Sequence, residues 1–338
     1  MLKLWWHKLR HWEYWPYYLV YLPTFFIWFW WMIKFKSIKF YKFANPKIKN
    51  GGLYADSKMS IYHILPSSSF PKTILVQKED RQNIIEKIRY SGLNFPLIVK
   101  PDVGCRGIGV EKVGNFEELL NYASSIKQNF LVQELVSFPN EIGLFYYRLP
   151  NQKKGKISGI TLKQFLSITG NGKDSIEQLL RKNPRFQFQI SKLKQSINLQ
   201  EILPENEERC LVPFGNHSRG TQFIDGTALI TEKLEQTFNH ILDQIDGFYY
   251  GRLDIRYQSF EDLEIGQHFS IIELNGVKSE PTHIYDPKKS FWQAQREILK
   301  HQQILKEIVS INLKAEREKQ LEPQIINGSR TNCFNSSA

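Results

Sequence analysis

The chain has 338 residues, with 45 Lys and Arg against 34 Asp and Glu and a formal charge of +11, which is long enough for one two-lobed folding unit with its own core. The excess is local: residues 1–50 carry nine Lys or Arg and a single acid, Glu13, so +8 of the +11 sits there and a main body that tracks nucleic acid is excluded, since it would need its own basic stripe. Cys105, Cys210 and Cys333 show neither paired nor metal-ligand spacing, which excludes a disulfide scaffold and indicates a reducing compartment.

Seven of the eight tryptophans fall within the first 31 residues, and the 19 residues from Trp15 to Ile33 carry no charge. As a helix that run would be roughly 28 Å long, comparable to a bilayer core. Pro16 and Pro23 interrupt it, and Trp and Tyr favour the headgroup region. Residues 1–34 are therefore expected to form a membrane-associated segment, crossing or lying in the interface, with its cations on anionic lipid heads, and a buried helix of the main domain is the alternative. A signal peptide is not expected, because no small-residue cleavage site follows and the run is too bulky. The six lysines after Ile33 predict that the following domain faces the cytoplasm. Residues 35–72 read as a basic connector, punctuated by Asn45-Pro46, Gly51-Gly52 and Pro66-Ser67-Ser68-Ser69. From residue 73 helical periodicity recurs at Asp80–Tyr90, Asn115–Lys127, Asp174–Lys182, Thr231–Gln244 and Ser290–Val309, with strands between. This predicts an α+β domain of two subdomains over residues 73–315. The polar stretch 316–338 is expected to be a disordered tail.

Two features carry chemistry. The run Phe95-Pro96-Leu97-Ile98-Val99-Lys100-Pro101 reads as a buried strand ending in a lysine, and Gly104, Arg106, Gly107 and Gly109 follow before strand character returns at Val110–Val113. Glycines let backbone N–H groups approach phosphate oxygens, and Lys100 can neutralise them. No Gly-Lys-Ser/Thr follows, so this is a hairpin flap rather than a Walker loop. The second feature is the pair of strands Tyr249–Arg256 and Ser270–Gly276. Alternation puts Arg252 and Asp254 on one face of the first, and Glu273 and Asn275 on one face of the second. If they pair across the loop Gln258–His268, Asp254, Glu273 and Asn275 gather as hard oxygen donors suited to Mg2+ bridging phosphates. A lone strand acid is ordinarily a solvated charge; the spacing of two acids with Arg252 and Asn275 favours a site.

These blocks, in order with Phe130-Leu131-Val132-Gln133-Glu134-Leu135-Val136 between them, resemble those of ATP-grasp ligases over roughly residues 73 to 300, nearest in pattern to D-alanine:D-alanine ligase and cyanophycin-synthetase-like members. The resemblance implies an ATP-grasp fold whose two subdomains clasp ATP. It implies that Lys100 meets the phosphates or adenine edge, that Gly104 to Gly109, with Arg106, form the lid, and that Gln133 and the backbone of Leu135 read the base. Gln133 stands where many members have glutamate. By the same resemblance Glu141 holds the ribose, Lys163 is a second phosphate lysine, Arg252 steadies the transferred phosphate, and Asp254, Glu273 and Asn275 bind Mg2+, with Mn2+ as a substitute. The family's earlier lysine has no clean counterpart; Lys58 and Lys72 are the alternatives.

The activity so implied is activation of a carboxylate as an acyl phosphate, followed by attack of an amine or other nucleophile. The residue types suit it, because phosphoryl transfer is catalysed chiefly by positioned cations. The loop Phe214-Gly215-Asn216-His217-Ser218-Arg219-Gly220-Thr221 is the candidate acceptor side: Arg219 can clamp a carboxylate and His217 can polarise it or take a proton. Lys278 and His283, after the Glu273 strand, are weaker candidates. The expected partners are ATP, a carboxylate-bearing small molecule or peptide-like substrate, and a membrane surface, with no nucleic acid. An ATP-binding regulatory or scaffold protein without ligation, and an ATP-grasp phosphotransferase, are the alternatives.

Overall fold

The computed structural model describes residues 2–331 apart from residues 55, 105, 106, 214 and 216. Helices α1 (Leu2–Arg10), α2 (Tyr17–Val20) and α3 (Leu22–Phe35) open the chain, so the uncharged run is broken at Tyr21 rather than continuous. Pro23 sits in the first turn of α3, where its missing N–H costs nothing. With 14 residues α3 is about 21 Å long. Among the described residues no helix is long and apolar enough to cross a membrane. Ile27, Trp28, Trp31, Met32 and Phe35 of α3 recur at helical spacing and pack on Leu305, Ile308, Val309 and Leu313 of the C-terminal helix.

The segment expected as a connector is folded into the body. Asn45 is fully buried; its amide donates to the carbonyls of Gly51 and Tyr250 at 3.0 and 2.9 Å, and its oxygen accepts from the N–H groups of Tyr249 and Tyr250 at 2.8 and 3.0 Å. Such a fully satisfied buried amide fixes this segment beside the later strands. Gly52, at φ +78, crosses Gly276 so closely that a Cβ would lie 2.5 Å from its Cα, so only glycine fits. Helix α4 (Lys58–Tyr62) ends this region, capped by Ser57.

An antiparallel sheet of order β1-β4-β2-β3 follows, built from β1 (Thr73–Val76), β2 (Leu97–Pro101), β3 (Glu111–Val113) and β4 (Phe130–Glu134). Helices α5 (Ile84–Ser91) and α6 (Phe116–Ser125) cover it through Ile84, Ile88, Leu119 and Tyr122. Register Leu97↔Val113 and Val99↔Glu111 makes the glycine loop the tip of a hairpin, the expected flap.

The second sheet begins with β5 (Asn140–Tyr147) and β6 (Lys156–Gln164). The ribbon of β7 (Leu166–Thr169) and β8 (Glu208–Val212) encloses α7 (Ile176–Arg181), α8 (Pro184–Gln187) and α9 (Ile190–Leu193). Then come β9 (Gln222–Asp225), α10 (Glu232–Leu242), β10 (Tyr250–Tyr257), α11 (Phe260–Glu264) and β11 (Phe269–Asn275), and the five-stranded order is β11-β10-β5-β6-β9. Ile142, Leu144, Leu253 and Ile255 bury one face against Leu234, Phe238 and Leu242 of α10, each large apolar side chain contributing about 1.5–3 kcal/mol. On the other face Phe145 and Tyr250 lie under α3 and the C-terminal helix, leaving the charged remainder of that face for a site.

The last helix, α12 (Phe291–Thr331), differs from expectation: it continues well past residue 316, where an unstructured tail is predicted. Lys314 to Gln320 are uniformly strong helix formers on an already nucleated helix, and Arg317 donates to the Phe35 carbonyl at 2.8 Å. Residues 332–338 lie outside the described residues.

Candidate active site

Register on β10 decides which side chains meet. Asp254 pairs with Glu273 on β11 and with Gly143 on β5, and Arg252 pairs with Asn275, so all four polar side chains share one sheet face. Gly143 leaves room for Arg252 and Asp254 to lie across it; a Cβ there would sit 3.2 Å from Arg252 Cδ. Arg252 donates from Nε to Asp254 Oδ1 and from Nη2 to Oδ2, both at 3.0 Å, and Lys163 Nζ reaches Oδ1 at 3.0 Å. Lys163 also donates to Glu141 Oε1 at 2.7 Å, and Arg256 Nε meets Glu141 Oε2 at 3.0 Å. Burial works to raise the Asp254 carboxyl, but Arg252 and Lys163 outweigh it and hold it down at about 2. Burial likewise works to lower Lys163, and Asp254 and Glu141 outweigh it, so its ammonium titrates above the usual range. This is an alternating chain of buried charges.

Glu273 and Asn275 complete the face differently. Among the described residues no hydrogen bond or ion pair engages the Glu273 carboxylate or the Asn275 side-chain amide. Glu273 opens on a small cavity lined by Asp56, Lys58, Ile61, Tyr62, Leu274 and Lys278. Mg2+ is typically held by one or two carboxylates plus phosphate oxygens, so Glu273, Asn275 and an oxygen of Asp254 fit it as a donor set. No cluster of three or more His, Cys, Asp or Glu able to hold a metal occurs among the described residues.

Lys100 and Gln133 lie where the two sheets meet. Buried Lys100 donates to the Tyr62 hydroxyl at 2.9 Å and to Gln133 Oε1 at 2.8 Å, while Gln133 Nε2 donates to Tyr62 Oη at 3.1 Å and Thr73 Oγ1 at 2.7 Å. The Tyr62 hydroxyl in turn donates to the Ile272 carbonyl, and its ring stacks on Phe70 at 4.9 Å. Tyr62 thus occupies the polar groups expected to read a base. Leu135 follows β4 directly, half-buried at its edge.

The flap and the acceptor loop converge over this floor. Lys58 Nζ donates to the carbonyls of Pro101, Asp102 and Gly104 at 3.2, 3.3 and 3.0 Å, tying the root of the flap to α4. Burial pushes the Lys58 ammonium below its usual range. Lys72 instead lies beside Gly92, away from the charged face. Gly107 and Gly109, at φ +69 and +71, take left-handed conformations, and Arg219 Nη2 reaches the Gly107 carbonyl at 3.2 Å. Arg106 and Cys105 lie outside the described residues. Gly215 passes directly over the Lys163–Glu141 pair: a Cβ would sit 2.2 Å from Glu141 Oε1 and 2.5 Å from Lys163 Cδ. His217 Nε2 faces Glu13 Oε2 at 3.2 Å and Arg185 Nη1 at 3.4 Å, so its ring is held by an internal ion pair rather than aimed into the floor. Of the weaker candidates, Lys278 lines the Glu273 cavity opposite Asp56 at 3.6 Å, whereas His283 is buried against Gly159 and Glu297.

Four contributors escape the motif reading. Arg256 was legible, since it continues the Arg252–Asp254 alternation by one more step. Tyr62, Glu13 and Arg185 come from segments with no local signature and are found only through the fold.

The two sheets, the glycine hairpin and the face of alternating buried cations and acids form one candidate site. Residues 55–146, about a quarter of the chain, match the family described as RimK-like ATP-grasp domain, so this part of the chain resembles an ATP-grasp domain. Among solved structures, D-alanine–D-alanine ligase from Bacillus anthracis aligns at 16% identity and a TM-score of 0.44, over 78% of this chain and 69% of that one. The VanG D-Ala:D-Ser ligase from Enterococcus faecalis aligns at 13% identity and a TM-score of 0.44, over 76% and 61%. A bifunctional glutathione synthetase from Pasteurella multocida aligns at 15% identity and a TM-score of 0.41, over 72% of this chain. The chain spans 36% of that synthetase and 61% of VanG. No curated protein sequence matches.

Proposed function

We propose that this chain is an ATP- and Mg2+-dependent ligase that activates a carboxylate for attack by an amine or other nucleophile, working at the cytoplasmic face of a membrane. The observation that carries the reading is the face where Lys163, Arg252 and Asp254 form one buried ion network beside the unengaged Glu273 and Asn275, beneath a glycine flap, in a domain matching an ATP-grasp family. The six lysines after Ile33 support the cytoplasmic side, where ATP is available.

The residues divide the work. A carboxylate oxygen attacks the γ-phosphorus, the β–γ bridging bond breaks, and ADP leaves; the nucleophile then attacks the acyl carbon, and phosphate leaves with the former carboxylate oxygen. Arg252 and Lys163 would turn from Asp254 to the equatorial phosphoryl oxygens, where charge spreads in the transition state. Lys100 lies at the root of the flap to neutralise the nucleotide's other phosphates. Arg219, already joined to the flap at Gly107, would bring the carboxylate-binding loop and the lid together. Glu273, Asn275 and Asp254 would hold Mg2+, which supplies neutralisation between the phosphates. A carboxylate labelled with 18O, presented as a panel of amino acids and short peptides, tests the reading: labelled inorganic phosphate alongside ADP is expected with the true substrate. Phosphorylated product with no released labelled phosphate would replace ligation by phosphotransfer.

A second reading, ATP binding without turnover, is favoured by one observation: Tyr62 satisfies both Lys100 and Gln133 internally. ATP binding with no ADP release from any carboxylate would select it.

A further inference from the structure

Helix α3 is apolar all round, yet the fold buries only one side. Its inner stripe is pinned to α12, where Trp28 Nε1 also donates to Gln302 at 2.7 Å, and Gln295 of α12 holds the Val20 carbonyl at 2.8 Å. The opposite stripe, Leu22, Phe25, Phe26, Phe29, Trp30 and Ile33, follows the same helical spacing and is 48% to 69% exposed. Tyr17 and Tyr18 of α2, Trp5 and Trp6 of α1, and Trp292 at the start of α12 are exposed as well. An exposed apolar stripe of this kind on a folded body marks an interaction site.

The charges flanking the stripe identify the partner. Lys34, Lys36, Lys39 and Lys42 follow its C-terminal end and are exposed, as are Lys8 and Arg10 on α1. The one acid of the first 50 residues, Glu13, is buried against Arg185 and subtracts nothing from this surface. Large aromatics bordered by exposed cations suit a bilayer interface with anionic headgroups. Docking in the interface is favoured over crossing: α3 is about 21 Å long against a core of about 30 Å, and its inner side is occupied.

We infer that the outer face of α2 and α3, with Trp5, Trp6 and Trp292, docks in the plane of one leaflet of an anionic bilayer. The inference rests on the membrane placement proposed above and not on the chemistry, so vesicle binding and ATP turnover succeed or fail separately. The Trp12–Tyr14 turn between α1 and α2 carries Glu13 to Arg185 and His217, so the docking surface and the acceptor loop are parts of one packed unit.

The test is flotation of the full chain, freed of detergent, with vesicles of phosphatidylcholine alone or mixed with phosphatidylglycerol, beside a Phe26→Ser/Trp30→Ser double variant. Both side chains are exposed, so an unchanged melting profile is expected to verify folding of the variant. Wild-type protein should bind the anionic vesicles, bind phosphatidylcholine more weakly, and be partly released by salt; the variant should lose at least ~10-fold in partitioning. Brominated lipids should quench tryptophan when the bromines are shallow and not at the bilayer centre. Wild-type protein that stays off all vesicles would overturn the inference. So would a concentration-dependent dimer, abolished in the variant, without vesicle binding, which assigns the face to a second copy. Labelling of the N-terminus only from the far side of sealed vesicles would overturn it in favour of a crossing segment.

Discussion

Substitution of Glu13 by Gln should destabilise the protein well beyond the loss of one contact. Glu13 and Arg185 meet at 2.5 Å with side chains only 5% and 8% exposed, and His217 adds a contact at 3.2 Å. Desolvation of two such ions offsets most of their attraction, so the pair itself contributes little net stability. Removing one partner is different, because the guanidinium of Arg185 is left buried without its counter-ion; breaking a buried pair costs about 3–5 kcal/mol. Glu13→Gln and Arg185→Met should each fall in that range, while Glu13→Gln/Arg185→Met together should cost much less than their sum. The pH dependence has a defined sign. Burial works to raise the Glu13 carboxyl, but His217 and Arg185 outweigh it and hold it below its ordinary value of 4.5. Its contribution is therefore complete above the unfolded value and fades as pH falls through the lower folded one. Chemical denaturation of the full chain, fitted at several pH values for all four proteins, measures this. Additive single-variant losses, or a Glu13→Gln cost below 1 kcal/mol, would refute the view that this cluster is desolvated and shared.

Other outcomes follow from the same geometry. Gly215→Ala should lower the melting temperature and cut turnover by at least ~10-fold, because its Cβ would displace the buried Glu141–Lys163 pair; steady-state kinetics beside a melting curve decides it. Tyr62→Phe releases Lys100 and Gln133 from an internal acceptor, so it should lower stability by about 1–3 kcal/mol while tightening ATP binding, and calorimetry showing weaker binding would instead make the hydroxyl part of the nucleotide site. His301, packed against Ser158 at 3.0 Å, is pushed down to about 4 by burial, so the unfolded chain takes up its proton first. Stability from this residue is complete above about pH 6.5 and declines as pH falls toward 4; His301→Gln should flatten that part of the profile.

Much of the floor was legible because strand alternation is a strict rule. Once Tyr249–Arg256 and Ser270–Gly276 are read as a hairpin, the Asp254↔Glu273 register follows from the spacing of acids and apolar residues. The flap was legible because Gly104, Gly107 and Gly109 follow the apolar strand that ends in Lys100 and precede a return to strand character at Val110–Val113. What could not be read is what arrives from far away in sequence. Tyr62 reaches Lys100 across 38 residues and Glu13 reaches Arg185 across 172, and neither lies in a periodic or motif context. The basic stretch after residue 34 read as a linker because its Gly and Pro content signals turns, whereas burial of Asn45 and the Gly52–Gly276 crossing make it part of the core. The apolar run 15–33 read as one segment because length and charge ignore the partner helix; α12 takes one stripe of α3, and that tertiary contact turns a candidate span into a packed surface helix.

The most direct test of the account is calorimetric titration of the full chain with ATP in the presence and absence of Mg2+, beside Glu273→Gln and Lys100→Ala. The account predicts saturable binding that requires Mg2+ and is weakened at least ~10-fold, about 1.4 kcal/mol, by either substitution. A folded wild-type chain that binds no ATP, or binds it equally well without Mg2+ and in both variants, would contradict it.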